Sequence, residues 1–283
     1  MIDNIRKITI VGLGVIGGSY AIALSKLGYE VYGVDKDEQT LSKALGAGAI
    51  CKASIEPDEF FPFSDIIVMA LYPDQIADYI KDTAAMVKSG CIITDVTGLK
   101  SHFVDKIEAQ LPYNVSFVFA HPMAGREKKG FDYADDRVFK GANFIITPTD
   151  KTRKSAIDTI QKLALEIGFG QIKITTPSKH DDIIAYTSQL PHALAVALIN
   201  SDSEDSETGK YIGDSYRDLT RIANINDALW AELFINNKSN LVSKIDDFEK
   251  QLEEIKLAVQ NEDYDALKAL FVKATKRRVK LEK

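Results

Sequence analysis

The sequence predicts a doubly wound, parallel α/β sheet over residues 1–174 followed by an all-α domain over residues 175–283. Three observations predict it. Short apolar runs alternate with stretches of helical period as far as about residue 174. Strand signals then stop at TTPSKHDD, residues 175–182, and the apolar patterns beyond have the three- and four-residue spacing of helices. A chain of 283 residues also lies near the length at which single cores stop growing, which favours two domains.

The strand candidates, in order, are KITIVGL, EVYGVD, DIIVMAL, CIITDV, FVFAHP, ANFIITP and QIKIT. Between them, IGGSYAIALSKLG and PDQIADYIKDTAAMVKSG carry helix-period apolar residues and close on glycine. Strands alternating with helices predict parallel pairing through crossovers, in a single sheet. Downstream, HDDIIAYTSQLPHALAVALIN, the long run from NINDALW to KLAVQN, and DYDALKALFVKATKRRVK read as helices, with SDSEDSETG as a loop. Pro191 falls inside the first of these patterns and predicts a kink or displaced backbone hydrogen bonding. Helical domains with apolar faces commonly pack against a second copy, so a homodimer is expected.

Apolar residues make up 45% of the chain and charged residues 27%, as in an ordinary globular protein. The net charge of −6 argues against a nucleic-acid surface, and the basic KATKRRVKLEK reads as the solvated face of a last helix. Cys51 and Cys91 lack metal-ligand spacing, so no metal is expected, and they suggest a reducing compartment. Charged Asp3, Arg6 and Lys7 interrupt the first apolar run, which does not read as a signal peptide. With no uninterrupted apolar stretch long enough for a bilayer, the expected location is cytoplasmic.

Gly12, Gly14 and Gly17 form GxGxxG between a strand and a helix. In that context the first glycine makes the tight turn, the second lets backbone approach a pyrophosphate, and the third lets helix and strand pack closely. Asp35 follows 21 residues after Gly14, at the end of the next strand, where a carboxylate accepts from a ribose hydroxyl and repels a 2′-phosphate. The first domain is therefore Rossmann-type and the expected cofactor is NAD, with Lys36 the one neighbour that tolerates a phosphate. Leu13, Val15, Ile16 and Pro73, the last at the head of the helix after DIIVMAL, are grouped with this site.

Of four histidines, His102 and His180 read as surface residues, one at a helix start and the other in the interdomain linker. His121 follows the apolar FVFA at a strand's exit, where open α/β sheets present ligands. Alone it reads equally well as a hydrogen-bonded core histidine.

The company it keeps decides the matter. GLGVIGGSYA, TDVTGLKS, HPMAG, SQLPHALA and RDLTRIANINDALW, in this order, resemble the prephenate and arogenate dehydrogenases of tyrosine biosynthesis across nearly the whole chain, in a short form without an ACT domain. The resemblance implies NAD-dependent oxidative decarboxylation of a small cyclohexadiene dicarboxylate, prephenate or arogenate. It implies His121 as the base on the ring hydroxyl, Arg221 as the grip on a carboxylate, and His192 as a pocket residue. Trp230, nine residues after Arg221, matches a tryptophan near the substrate.

The chain departs from the family's pattern at three places. Gly98 stands where many relatives have a serine that hydrogen-bonds the catalytic histidine; its role is vacant or passes to Thr97 or Ser101, with Thr97 the expected replacement. Gln189 stands where relatives often have another histidine, and Arg126 adds a cation directly after HPMAG; both are expected at the substrate. Asp95 is expected to organise its loop and Lys100 to start the following helix. Two other classes share the glycine-rich start. A β-hydroxy-acid dehydrogenase would need a helical-domain lysine motif that has no match here. A nonenzymatic NAD-binding regulator would not need HPMAG and TRIA.

Overall fold

The computed structural model describes residues 2, 4–125, 128–203 and 207–281. Six strands, β1 (Lys7–Val11), β2 (Glu30–Val34), β3 (Lys52–Ser54), β4 (Ile66–Met69), β5 (Ile92–Asp95) and β6 (Ser116–Val118), form one parallel sheet in the order β3-β2-β1-β4-β5-β6. Crossovers run through α1 (Val15–Lys26), α2 (Glu38–Gly46), α3 (Pro73–Thr83) and α4 (Val104–Glu108). The β3-to-β4 connection uses only short 3-10 turns, Pro57–Glu59 and Phe61–Phe63. Strands buried on both faces read as continuous apolar runs, and β4 is buried along its whole length. Ile8, Ile10, Ile66 and Val68 pack into one core, while Val11, Ile67, Met69 and Ile93 pack into another. Strand order reverses between β1 and β4, which opens a crevice beyond their carboxyl ends.

Two strand expectations need correction. FVFAHP is not one strand: β6 ends at Val118, and β7 (Ala120–Pro122) belongs to a second, three-stranded sheet. There β7 pairs antiparallel with β8 (Asn143–Ile146), and β8 pairs parallel with β9 (Gln171–Ile174), with α5 (Lys154–Ile167) as the crossover. Phe119 makes the change of sheet, its carbonyl accepting from Thr147 N at 2.9 Å. An unbroken apolar run satisfies both sheets, so periodicity does not reveal the break. The edge strand β3 is too short and too polar to stand out in the sequence.

Strands end at β9, and α6 (Pro177–Ile184) follows. It continues through a π turn, Ala185–Gln189, into α7 (Leu190–Asn200). Pro191 has no N–H and its ring would collide with the carbonyl four residues earlier; widening the preceding turn relieves both, the displacement its position predicts. Then come α8 (Asp214–Thr220), a 3-10 turn (Arg221–Ala223), α9 (Asp227–Asn236), α10 (Lys238–Gln260) and α11 (Tyr264–Leu281). The long pattern from NINDALW onward is broken at Asn237, whose side chain donates to Asp181 O (2.9 Å) and Gln189 Oε1 (2.8 Å). Contacts divide the chain into two compact units, Met1–Asn237 and Lys238–Lys283; α6 to α9 belong to the first, and α10 and α11 pack together in the second.

Candidate active site

A cavity of about 500 Å³ lies in the first unit. One wall is the glycine turn after β1. Gly12 has φ +86°, and a Cβ there would meet Ala70 O at 2.5 Å. A Cβ on Gly17 would meet Gly12 O at 1.9 Å, so α1 reaches the strand only with glycine at that position. Gly14 has open space where its Cβ would be, and no side chain caps the helix it precedes. The first N–H groups of α1 and its positive end therefore face this wall, a fit for a pyrophosphate. Gly14, Val15, Ile16, Gly17 and Pro73 line the cavity. Gly12, Leu13, Asp35 and Lys36 lie outside its lining. Half-buried Asp35 sits at the end of β2, accepting from Leu13 N at 2.7 Å and Asp37 N at 3.0 Å, while Lys36 is exposed.

The second wall carries His121, in β7. Its Nδ1 lies 2.9 Å from His180 Nε2, and His180 Nδ1 lies 2.7 Å from Asp181 Oδ1. His180 is therefore no surface residue: it is 1% exposed at the start of α6, bonded across 59 positions of sequence. Thr97 does not orient His121 as expected. Its hydroxyl is taken by Asp95 Oδ2 (2.5 Å) and Leu99 O (2.9 Å), and it accepts from Lys100 Nζ at 3.0 Å. A Cβ at Gly98 would lie 3.9 Å from His121 Nε2, in ordinary contact with Leu233. Gly98 thus leaves that nitrogen beside the cavity, which both residues line.

Lys100 does not start a helix either. Its ammonium is fully buried and donates to Asp95 Oδ2, Thr97 O and Ala120 O, joining the loop after β5 to the residue before His121. Asp95 Oδ1 accepts from Ala120 N at 3.0 Å and so organises the same junction, as its position predicts. Burial, followed by the nearby His180 and Lys100, holds His121 well below the ordinary histidine pKa. Burial also depresses His180, though Asp181 opposes it. Asp181 is itself pulled down: burial raises it, but hydrogen bonds from His180 and Ser101 outweigh that. His102 is half-buried rather than exposed, its Nε2 3.4 Å from Asp74 Oδ1, and burial lowers its pKa.

The third wall is helical. His192 Nδ1 donates to Ser188 O at 2.9 Å, and its ring stacks on Trp230 with centroids 3.6 Å apart. Both line the cavity, with Leu229, Leu233 and Asn226. Gln189 lines it too, but its amide is engaged, donating to Leu233 O at 2.8 Å and accepting from Asn237. It ties the π turn to α9 rather than offering that amide to a substrate. Arg221 lies outside the lining, exposed on the 3-10 turn after α8, and Arg126 lies outside the described residues. The cations that do line the cavity, among the described residues, are Lys128 and Lys129. Lys128 Nζ stands 5.5 Å over the Tyr133 ring, and Lys129 reaches Asp227 at 3.4 Å. Sequence reasoning missed these lysines because the hydrophilic EKKG shows no pattern, and missed the His180–Asp181 pair because its partner is so distant.

An imidazole kept neutral beside a dinucleotide cradle, with two lysines in the same lining, defines an oxidoreductase that moves a hydride and a proton from an anionic alcohol. Comparison with known proteins narrows this. Residues 20–173 match the family described as prephenate dehydrogenase, nucleotide-binding domain, and residues 176–273 match prephenate dehydrogenase, dimerization domain. Prephenate dehydrogenase of Bacillus subtilis is 28% identical over 271 residues, covering 93% of this chain and 73% of that protein. Cyclohexadienyl dehydrogenase of Zymomonas mobilis is 28% identical, covering 98% and 96%. The crystal structure of A. aeolicus prephenate dehydrogenase, in complex with hydroxyphenyl propionate and NAD+, superposes with a TM-score of 0.89 at 28% identity, covering 98% of this chain and 99% of that one. The chain belongs to the prephenate dehydrogenase family.

Proposed function

We propose that the chain catalyses the oxidative decarboxylation of prephenate to 4-hydroxyphenylpyruvate in tyrosine biosynthesis. The observation that carries this reading is His121: a neutral imidazole with Nε2 beside the cavity, between the glycine turn and the His192–Trp230 stack. Gly14, Val15, Ile16, Gly17 and Pro73 would hold NAD, with Asp35 at the adenosine ribose, and the bound cofactor would supply the hydride acceptor. His121 takes the proton of the ring C4 hydroxyl as the C4 hydrogen leaves with its electron pair. Loss of carbon dioxide then leaves its bond electrons in the ring, which becomes aromatic, and the phenolate oxygen recovers the proton. The solved A. aeolicus relative, complexed with a hydroxyphenyl acid and NAD+, supports this substrate class.

A dicarboxylate needs cations. Lys128 and Lys129 supply two at the cavity, and Arg221 is proposed from the resemblance as the planar grip on a carboxylate. Arg221→Ala should raise KM for prephenate steeply; an unchanged KM passes the role to the lysines. The protein is further proposed to be a cytoplasmic homodimer, with 175–283 as the substrate and dimerisation domain. The stretch Pro177–Asn200 is long and apolar enough, by length and composition, to cross a membrane, and 28% of its most apolar 18-residue window is buried. It also carries His180, Asp181 and Gln189, bonded to the sheet and to α9, so its exposed Ile183, Tyr186, Leu198 and Ile199 suit a second copy better than lipid.

Purified protein with NAD should form NADH and release carbon dioxide from prephenate, with arogenate tested alongside. Turnover of arogenate alone would reassign the substrate. NADH binding without turnover of either would overturn the reading.

A further inference from the structure

We propose that His180 and Asp181 are positioning residues that fix His121 as an Nε2 base and draw its Nδ1 proton away from the cavity as Nε2 takes up the substrate's. The inference rests on His121 being the base, and it follows from which atoms can donate. An ionised carboxylate only accepts, so the 2.7 Å contact between Asp181 Oδ1 and His180 Nδ1 places a proton on that nitrogen. In the neutral ring His180 Nε2 is then an acceptor, and the 2.9 Å contact to His121 places a proton on His121 Nδ1. His121 Nε2 is left with its lone pair, beside the cavity.

Asp181 is held where this chain of bonds needs it. Its Oδ1 also accepts from Lys100 N at 3.0 Å, its Oδ2 accepts from Ser101 N at 2.8 Å, and its carbonyl accepts from Asn237 Nδ2. The backbone donors come from the same loop whose Lys100 side chain bonds Ala120 O, one residue before His121. Base, acceptor and carboxylate therefore share one frame. His180 and Asp181 are 1% and 4% exposed. Two imidazoles in contact in a core carry a desolvation cost that an apolar pair would avoid, so packing alone does not account for them.

The proton balance closes within the triad. The substrate hydroxyl proton bonds to His121 Nε2, the His121 Nδ1 proton passes to His180 Nε2, and the resulting imidazolium stands against the Asp181 carboxylate. No charge then remains on the ring nearest the cavity. Return of both protons regenerates the starting tautomers. Among the described residues, the charged and titratable groups around His121 include His180 and Asp181 at the start of α6, and Lys100 and Asp95 from the β5 loop. Buried Lys100 disfavours a cation on His121, and Asp181 favours one on His180. This arrangement supplies the partner for His121 that Gly98 does not.

The test compares His180→Leu, which removes the acceptor, His180→Gln, which keeps one in an amide oxygen, and His121→Asn. His180→Leu should lower kcat by about ten- to a hundred-fold, leave KM for prephenate and NADH affinity within about two-fold, and move the acid limb of kcat downward, because the protonated form of the pair loses its acceptor. His180→Gln should recover most of kcat. Nitrogen-15 spectra of the histidine-labelled wild type should show His121 protonated at Nδ1 alone at neutral pH, a readout that survives if a variant fails to fold. Wild-type kcat and acid limb in a folded His180→Leu, or a proton on His121 Nε2, would overturn the proposal. If His121→Asn is inactive while His180→Leu keeps the wild-type rate, only the positioning role falls; full turnover by His121→Asn removes the base reading itself.

Discussion

The residues that make the site chemically useful are also the ones that cost stability. His121, His180 and His102 are all depressed below the ordinary histidine value, burial being the first cause for each. An unfolded histidine takes up its proton near pH 6.5, whereas the native His121 takes it up only well below that. The native stability is therefore complete above about pH 6.5 and declines as pH falls toward the depressed native value, by up to about 1.4 kcal/mol per pH unit for each such group. Urea unfolding at a series of pH values should show this decline, and His121→Asn should make it shallower; an identical slope would contradict the assignment. The same depression keeps the base unprotonated, so the wild-type rate should hold as pH passes below 6.5. Lys100 and Asp95 are a fully buried pair, and Lys100→Met leaves the carboxylate without its cation. It should cost about 3–5 kcal/mol, read from the urea midpoint. The buried partners of Lys100 and His180 were not legible in the sequence. Lys100 read as a helix start and His180 as a linker residue because their partners lie 20 and 59 positions away or across another element.

At the scale of elements, the turn from β1 into α1 separates two uses of glycine. A Cβ on Gly14 meets nothing within 4 Å, whereas one on Gly17 meets backbone at 1.9 Å. Gly14→Ala should leave the melting temperature within a degree or two and weaken NADH binding, since the methyl takes the pyrophosphate's space. Gly17→Ala should reduce both. Equal melting temperatures in the two variants would contradict the division. The spacing of these glycines, and the carboxylate at the end of β2, were readable because both features are local. Pro191 was readable for the same reason, and the π turn before it is the physical consequence. The break at Phe119 was not, because FVFAHP satisfies the burial of both sheets without a change of period. That break matters: it places His121 in the three-stranded sheet, against Ile145, instead of at the end of β6.

For the whole molecule, the order of motifs picked out the glycine turn, His121 and the His192–Trp230 pair, which the fold brings to one cavity, because each is a short run with its own local logic. It did not locate the cations, since a lysine's position depends on the loop that carries it. The exposed apolar residues along Pro177–Asn200 predict that equilibrium sedimentation finds a dimer at micromolar concentration, and that Tyr186→Glu with Ile183→Glu shifts it toward monomer. A monomeric wild type would contradict the dimer. The central claim is that His121 is the base of a prephenate-oxidising site. Its most direct test is the steady-state rate of NADH formation by His121→Asn against wild type, with NADH affinity measured on both. The kcat of His121→Asn should fall by about a hundred-fold or more with affinity preserved; an unchanged kcat would contradict His121 as the base.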